Sequence, residues 1–170
     1  MRILPAILLA LVLSTPARAE WLLDQGVAIV SPTSNNSTIE LLVVSCGDPY
    51  AVEVYSRGGP VRPDADGNVE ADYFYKPGKV QGRIGGQVFP LTAAGSEIAV
   101  VLFSEGTAAQ GYMAPVSRDF IGALKTGTSL TLAFDVTPEA NADGTPHETF
   151  AEFPLAGSAA AIDAALATCG

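Results

Sequence analysis

The sequence predicts a mainly β protein, an antiparallel β-sandwich or sheet with two short helices, one near 117–126 and one C-terminal at 158–169. Three observations predict it. Apolar residues alternate with polar ones, or fill short continuous runs, in segment after segment along the chain. Turn-forming pairs such as Pro77-Gly78, Gly85-Gly86 and Asp143-Gly144 separate these segments. Helical spacing of apolar residues occurs only in the two stretches named above.

Residues 1–19 read as a secretory signal peptide. Arg2 supplies the initial charge, Ile3 to Leu13 is an apolar run broken only by Pro5, and Ala17-Arg18-Ala19 has the small-x-small form of a cleavage site. Glu20, not a lipid-accepting cysteine, would be the new N-terminus. The run is shorter than the ~20 residues that span a bilayer, so no transmembrane anchor is expected after cleavage; an uncleaved anchor is the alternative. Residues 20–170 then form a single β-rich domain of 151 residues, enough for one core.

Trp21 to Leu23 opens that domain as a strand start or a core plug, and Val27 to Val30 reads as a strand. Ser31 to Ser37 is a cluster of turn residues. Ile39 to Ser45 is apolar on both alternating sets except at Glu40, the pattern of a central strand covered on both faces. Cys46-Gly47-Asp48-Pro49 ends it, and Tyr50 to Tyr55 alternates again. Val69 to Tyr75 reads as a further strand. Lys79–Ile84 and Gln87–Thr92 flank Gly85-Gly86 as a tight hairpin. Pro90 in the second arm suggests an edge strand, because proline has no ladder donor.

Glu97 to Ser104 is another doubly apolar strand, and Glu105 to Pro115 a loop. Ser117 is placed to cap a helix with Asp119 in its positive first turn, Phe120, Ile121 and Leu124 on one face, and Gly127 as the stop. Leu130, Leu132, Phe134 and Val136 alternate with polar residues as a half-buried strand, and after a long polar turn Thr149 to Leu155 pairs back. Ser158 would cap the last helix, with Ile162, Ala165, Leu166 and Cys169 on one face.

The chain has two cysteines, Cys46 and Cys169. In an exported protein they are expected to form one disulfide, pinning the tail to an early strand; two buried thiols are the alternative. After signal removal seven basic residues face eighteen acidic ones, a net charge of −11. This acidity makes nucleic acid an improbable partner, opposes adsorption to anionic membranes and favours a basic envelope or periplasmic protein if there is a partner. A plain solvated acidic surface explains the same charge. Five of the seven basic residues, Arg57, Arg62, Lys76, Lys79 and Arg83, fall in one window.

Catalytic signals are sparse. His147 is the only histidine, which rules out a multi-histidine zinc site, and no serine stands in a nucleophile elbow. Asp64, Asp66, Asn68 and Glu70 place oxygen ligands at alternate positions, a weak calcium candidate. Gly67 and Tyr75 do not stand where an EF-hand loop needs its glycine and glutamate, so no cofactor or metal is expected. Tyr50, Tyr55, Tyr73, Tyr75 and Tyr112 are candidates for a ligand-binding aromatic face, or simply pack with their hydroxyls at the rim.

The segment from Phe120 through Ala123-Leu124-Lys125-Thr126-Gly127 to Phe134, followed by Phe153-Pro154-Leu155-Ala156-Gly157 and the Ala-rich run to Ile162, resembles the closing part of the invasion-associated locus B family. The resemblance covers about 50 of the 170 residues, and the additional cysteines of that family are absent here. The C-terminal helix ending in Cys169 is also similar to periplasmic accessory proteins of type VI secretion. The resemblance implies a compact, mostly antiparallel periplasmic domain with no catalytic apparatus, and carries over no functional residues. The expectation is therefore a periplasmic or secreted, non-enzymatic accessory or protein-binding domain. A small-ligand-binding protein is the alternative, and a carboxylate-dependent hydrolase a third.

Overall fold

The computed structural model describes residues 20–57, 77–95, 98–134, 136, 140, 142, 144, 148–167 and 169. Residues 1–19, the 69–75 strand, the candidate ligands Asp64, Asp66, Asn68 and Glu70, and His147 lie outside them. The strands are β1 (Leu22–Asp24), β2 (Val27–Val30), β3 (Ser34–Asn35), β4 (Ile39–Cys46), β5 (Tyr50–Ser56), β6 (Val80–Ile84), β7 (Gln87–Gly95), β8 (Ala99–Glu105), β9 (Met113–Ala114), β10 (Ser129–Phe134) and β11 (Thr149–Pro154). The helices are α1 (Arg118–Thr126) and α2 (Ser158–Leu166).

All eleven strands among the described residues belong to one antiparallel sheet, ordered β1-β2-β4-β5-β8-β7-β6-β10-β11-β3, with β9 on β8. Only three residues, Ser31 to Thr33, separate β2 from β3, yet β2 pairs with β4 while β3 pairs with β11 at the far end. One stretch of chain thus reaches from the strand beside the β1 edge to the β3–β11 end, so the sheet curls and brings its two end regions near each other without pairing β1 to β3. Thr33 N–H to Glu152 O at 2.8 Å and Asn36 N–H to Phe150 O at 3.1 Å extend the β3–β11 pairing, and the Trp21 indole N–H to Pro154 O at 2.7 Å ties the residue before β1 to β11. Of the two predicted forms, a sandwich or a sheet, the sheet is the one observed. The cluster Ser31–Ser37, read as a turn, contains β3.

The core lies inside the curl. Alternate residues of the strands, among them Leu42, Val52, Leu91, Leu102, Leu132 and Phe153, are almost fully buried, and each such side chain contributes about 1.5–3 kcal/mol of transfer free energy. α1 adds Phe120, Ile121 and Leu124, and α2 adds Ala161, Ile162 and Ala165. The rings of Phe120 and Phe89 meet at 5.2 Å between centroids, tilted by 60°, a geometry favoured by the ring quadrupoles.

Most elements form where the pattern predicts. The Gly85-Gly86 hairpin is present, with φ of 56° and 82° and Ile84 opposite Gln87. Ser117 caps α1 by accepting the Phe120 N–H at 3.1 Å. β7, however, is not an edge strand, despite Pro90: it runs between β6 and β8. Pro90 sits opposite Gln81, one pair beyond the hydrogen-bonded Gly82–Phe89 position counted by alternation from the hairpin, so its nitrogen faces away from β6; the β7–β8 ladder begins only at Leu91 opposite Ser104. Its missing donor therefore lies just outside that ladder, beside the last residue of β8, and no pairing of β7 among the described residues is interrupted.

Two helix ends also differ. The cap of α2 is Gly157, at φ 86°, not Ser158. Ser158 is buried, and its hydroxyl lies 2.7 Å from both Leu124 O and Leu155 O, tying the end of α1 to the start of α2. α2 ends at Leu166, short of the predicted 169. Gly127 does stop α1, but with extended backbone at φ −75°. It is glycine for lack of space: a Cβ there would lie 2.4 Å from Ile84 Cγ2.

Candidate functional site

Cys46 closes β4 on the core-facing set of that strand, and α2 brings Cys169 beside it. The two form a disulfide with a Cα–Cα distance of 5.4 Å, spanning 123 residues. Both cysteines are exposed. The predicted bridge between tail and early strand is present, and α2 is held across the β1–β2–β4 end of the sheet.

The basic window does not gather into one patch among the described residues. Arg57 follows β5 and pairs with Glu40 on the surface. Arg83 lies on β6, three strands along, with β8 and β7 between. It makes a two-pronged pair with Glu148, Nη1 to Oε1 at 2.5 Å and Nη2 to Oε2 at 2.8 Å, while Gln81 Oε1 accepts from its Nε and Nη2 at 3.1 Å. The Glu148 bond raises the Arg83 pKa above its ordinary value, more than partial burial lowers it. Arg62 and Lys76 lie outside the described residues.

The tyrosines do not share a face either. Tyr50 packs against the core, Tyr55 points outward at the other end of β5, and Tyr112 stands in the turn before β9. The Tyr55 hydroxyl donates to Glu53 Oε2 at 3.0 Å, and this bond, with the adjacent charge, raises its pKa above the usual 10.0. Tyr73 and Tyr75 lie outside the described residues. Among the described residues no group of three His, Cys, Asp or Glu side chains is arranged to hold a metal ion, and no helix is long and apolar enough to cross a membrane.

Two recesses stand out. One, of about 250 Å³, lies between the Cys46–Tyr50 turn and β9 and is lined by Asp48, Tyr50, Phe103, Met113 and Val116. The other is an open groove of about 760 Å³ between the start of the chain and α2, lined by Glu20, Trp21, Leu23, Gly157, Ala160 and Ala164. Its floor is the small-residue face of α2 and its wall is the approach to β1. Alternation and spacing did not mark this groove. The helical spacing put Ile162, Ala165, Leu166 and Cys169 on one face of α2, and Ala160 and Ala164, off that face, are exposed. The available signal was the excess of alanines beyond those a single buried face requires.

No protein-family model matches the chain, no curated protein matches it in sequence, and no solved structure matches it.

Proposed function

We propose that this is a periplasmic or secreted domain that acts by protein contact rather than by catalysis, as an accessory or binding protein for a basic partner. The observation that carries the reading is the Cys46–Cys169 bond between exposed cysteines. Such a bond persists in an oxidising compartment and is lost in a reducing one. The signal-like residues 1–19 support the same compartment, and the net charge of −11 that follows their removal supports a basic partner. The likeness of the last third to invasion-associated locus B proteins accords with an accessory role.

Capture from a periplasmic extract on the immobilised, oxidised protein tests this. A basic protein retained at low salt and released at high salt is the expected result, because exposed charge attraction is screened within ~8 Å at physiological ionic strength. Absence of any salt-sensitive partner overturns it. The groove beside α2 favours a second reading, a site for a small apolar ligand.

A further inference from the structure

β1 ends the sheet, and no described strand pairs with its outer side. The hairpin to β2 fixes which of its backbone groups face outward. Gln25 and Gly26, at φ 48° and 85°, form a two-residue turn with Asp24 opposite Val27. Antiparallel pairs alternate between bonded and non-bonded. Asp24–Val27 and Leu22–Ile29 are then bonded, and Leu23–Ala28 is not. The N–H and C=O of Leu23 therefore point away from β2, toward the free edge.

The side chains at this edge are apolar on both sides. Leu22, 61% exposed, shares the outer face with Ile29 and Val43. Leu23, 52% exposed, projects to the Ala28 side and forms a wall of the groove against α2. β1 reads Leu-Leu-Asp: it is short and carries one carboxylate, but it has no lysine, proline or bulge, the other devices that guard natural edge strands. Its charges are carboxylates, Glu20 before it and Asp24 at its end.

We propose that β1 is the docking edge for an extended partner segment, apolar at alternate positions and basic at its ends, which adds to the sheet as a strand beyond β1. The inference rests on the contact reading above and names its surface. Leu23 offers the main-chain pair, and the groove over Gly157, Ala160 and Ala164 receives the side chains that point inward. Charge selects the occupant. A second copy would set Glu20 and Asp24 against their own equivalents, on a chain with a net charge of −9, whereas a segment with basic ends meets them with opposite sign.

The probe is a fluorescent seven-residue peptide of alternating valine and threonine with lysine at both ends, titrated by anisotropy into the oxidised protein. A counterpart ends in glutamate. The lysine-ended peptide should bind and shift the Leu23 amide resonance, with the glutamate-ended one weaker by about tenfold or more. Ala160→Tyr fills the groove from an exposed helix position, and Leu23→Pro removes the outward donor; each should weaken binding about tenfold. Circular dichroism confirms that both variants fold. No binding of the lysine-ended peptide overturns the proposal. So do binding untouched by either variant, resonance shifts confined to other strands, and dimerisation in place of peptide binding. If Ala160→Tyr and Leu23→Pro capture a basic periplasmic protein as well as the parent does, the edge is wrong while the contact reading stands.

Discussion

The ring of Phe120 lies across the backbone of Gly82: a Cβ at position 82 would come within 2.8 Å of Phe120 Cε2 and 3.4 Å of Leu91 Cδ1. α1 is seated on the sheet through this contact, since Phe120 is fully buried and also meets Phe89. Gly82→Ala should destabilise the fold by about 1–3 kcal/mol through overpacking. Phe120→Ala should cost about 3–5 kcal/mol through the cavity left behind. Urea denaturation of the two single variants checks both, and a neutral Gly82→Ala would show that the ring moves aside freely.

The Cys46–Cys169 bond closes a span of 123 residues, which on the chain-entropy argument is worth about 4–5 kcal/mol. Both cysteines are exposed, so a reductant should open the bond without prior unfolding. The Cys46→Ala/Cys169→Ala variant should keep the far-ultraviolet spectrum and melt at lower temperature. Equal melting of reduced and oxidised protein would show that α2 is held by Ile162 and Ala165 packing alone.

Two arginine–carboxylate pairs provide an internal comparison. The Arg83–Glu148 pair is two-pronged, with the Glu148 side chain 16% exposed, while the Arg57 side chain is 85% exposed in its pair with Glu40. Arg83→Gln should cost about 1 kcal/mol after solvent screening, and Arg57→Gln close to nothing. Chemical denaturation at low and high salt reads the difference, and the Arg83 pair should be the less salt-sensitive.

Tyr55 should ionise late. Its proton is held by Glu53, so its folded pKa stands above the unfolded 10.0. The bond's contribution is complete below pH 10 and is lost as pH rises through the higher folded value. Tyrosinate absorbance on alkaline titration should show a late component that is absent in Tyr55→Phe. In Glu53→Gln that component should move back toward 10.0.

The strands were largely legible in the sequence because alternation is a local signal. Leu130, Leu132 and Phe134 announce β10 with no knowledge of its neighbours, and Ser117 and Gly127 bracket α1 correctly. Strand order was not legible, because pairing joins residues such as Asn35 and Ala151 whose only link is in space. β3 was hidden for the same reason: Ser34 and Asn35 have weak strand propensity and become strand by bonding to β11. Pro90 misled because its missing donor matters only within a ladder, and the β7–β8 ladder begins one residue after it, at Leu91. The groove was invisible because alternation and spacing show which residues are buried together, not which are left apart.

The three residues Ser31 to Thr33 have a consequence for assembly. β3 meets its partner only when β11 exists, so a chain delivered from its N-terminus holds an unfinished seam until nearly all of it has emerged. Closure therefore comes late and depends on residues more than a hundred positions away, which places this fold among the slower-forming topologies. A chain cut short before residue 149 loses the other half of that seam, and the remaining strands stay open at one side.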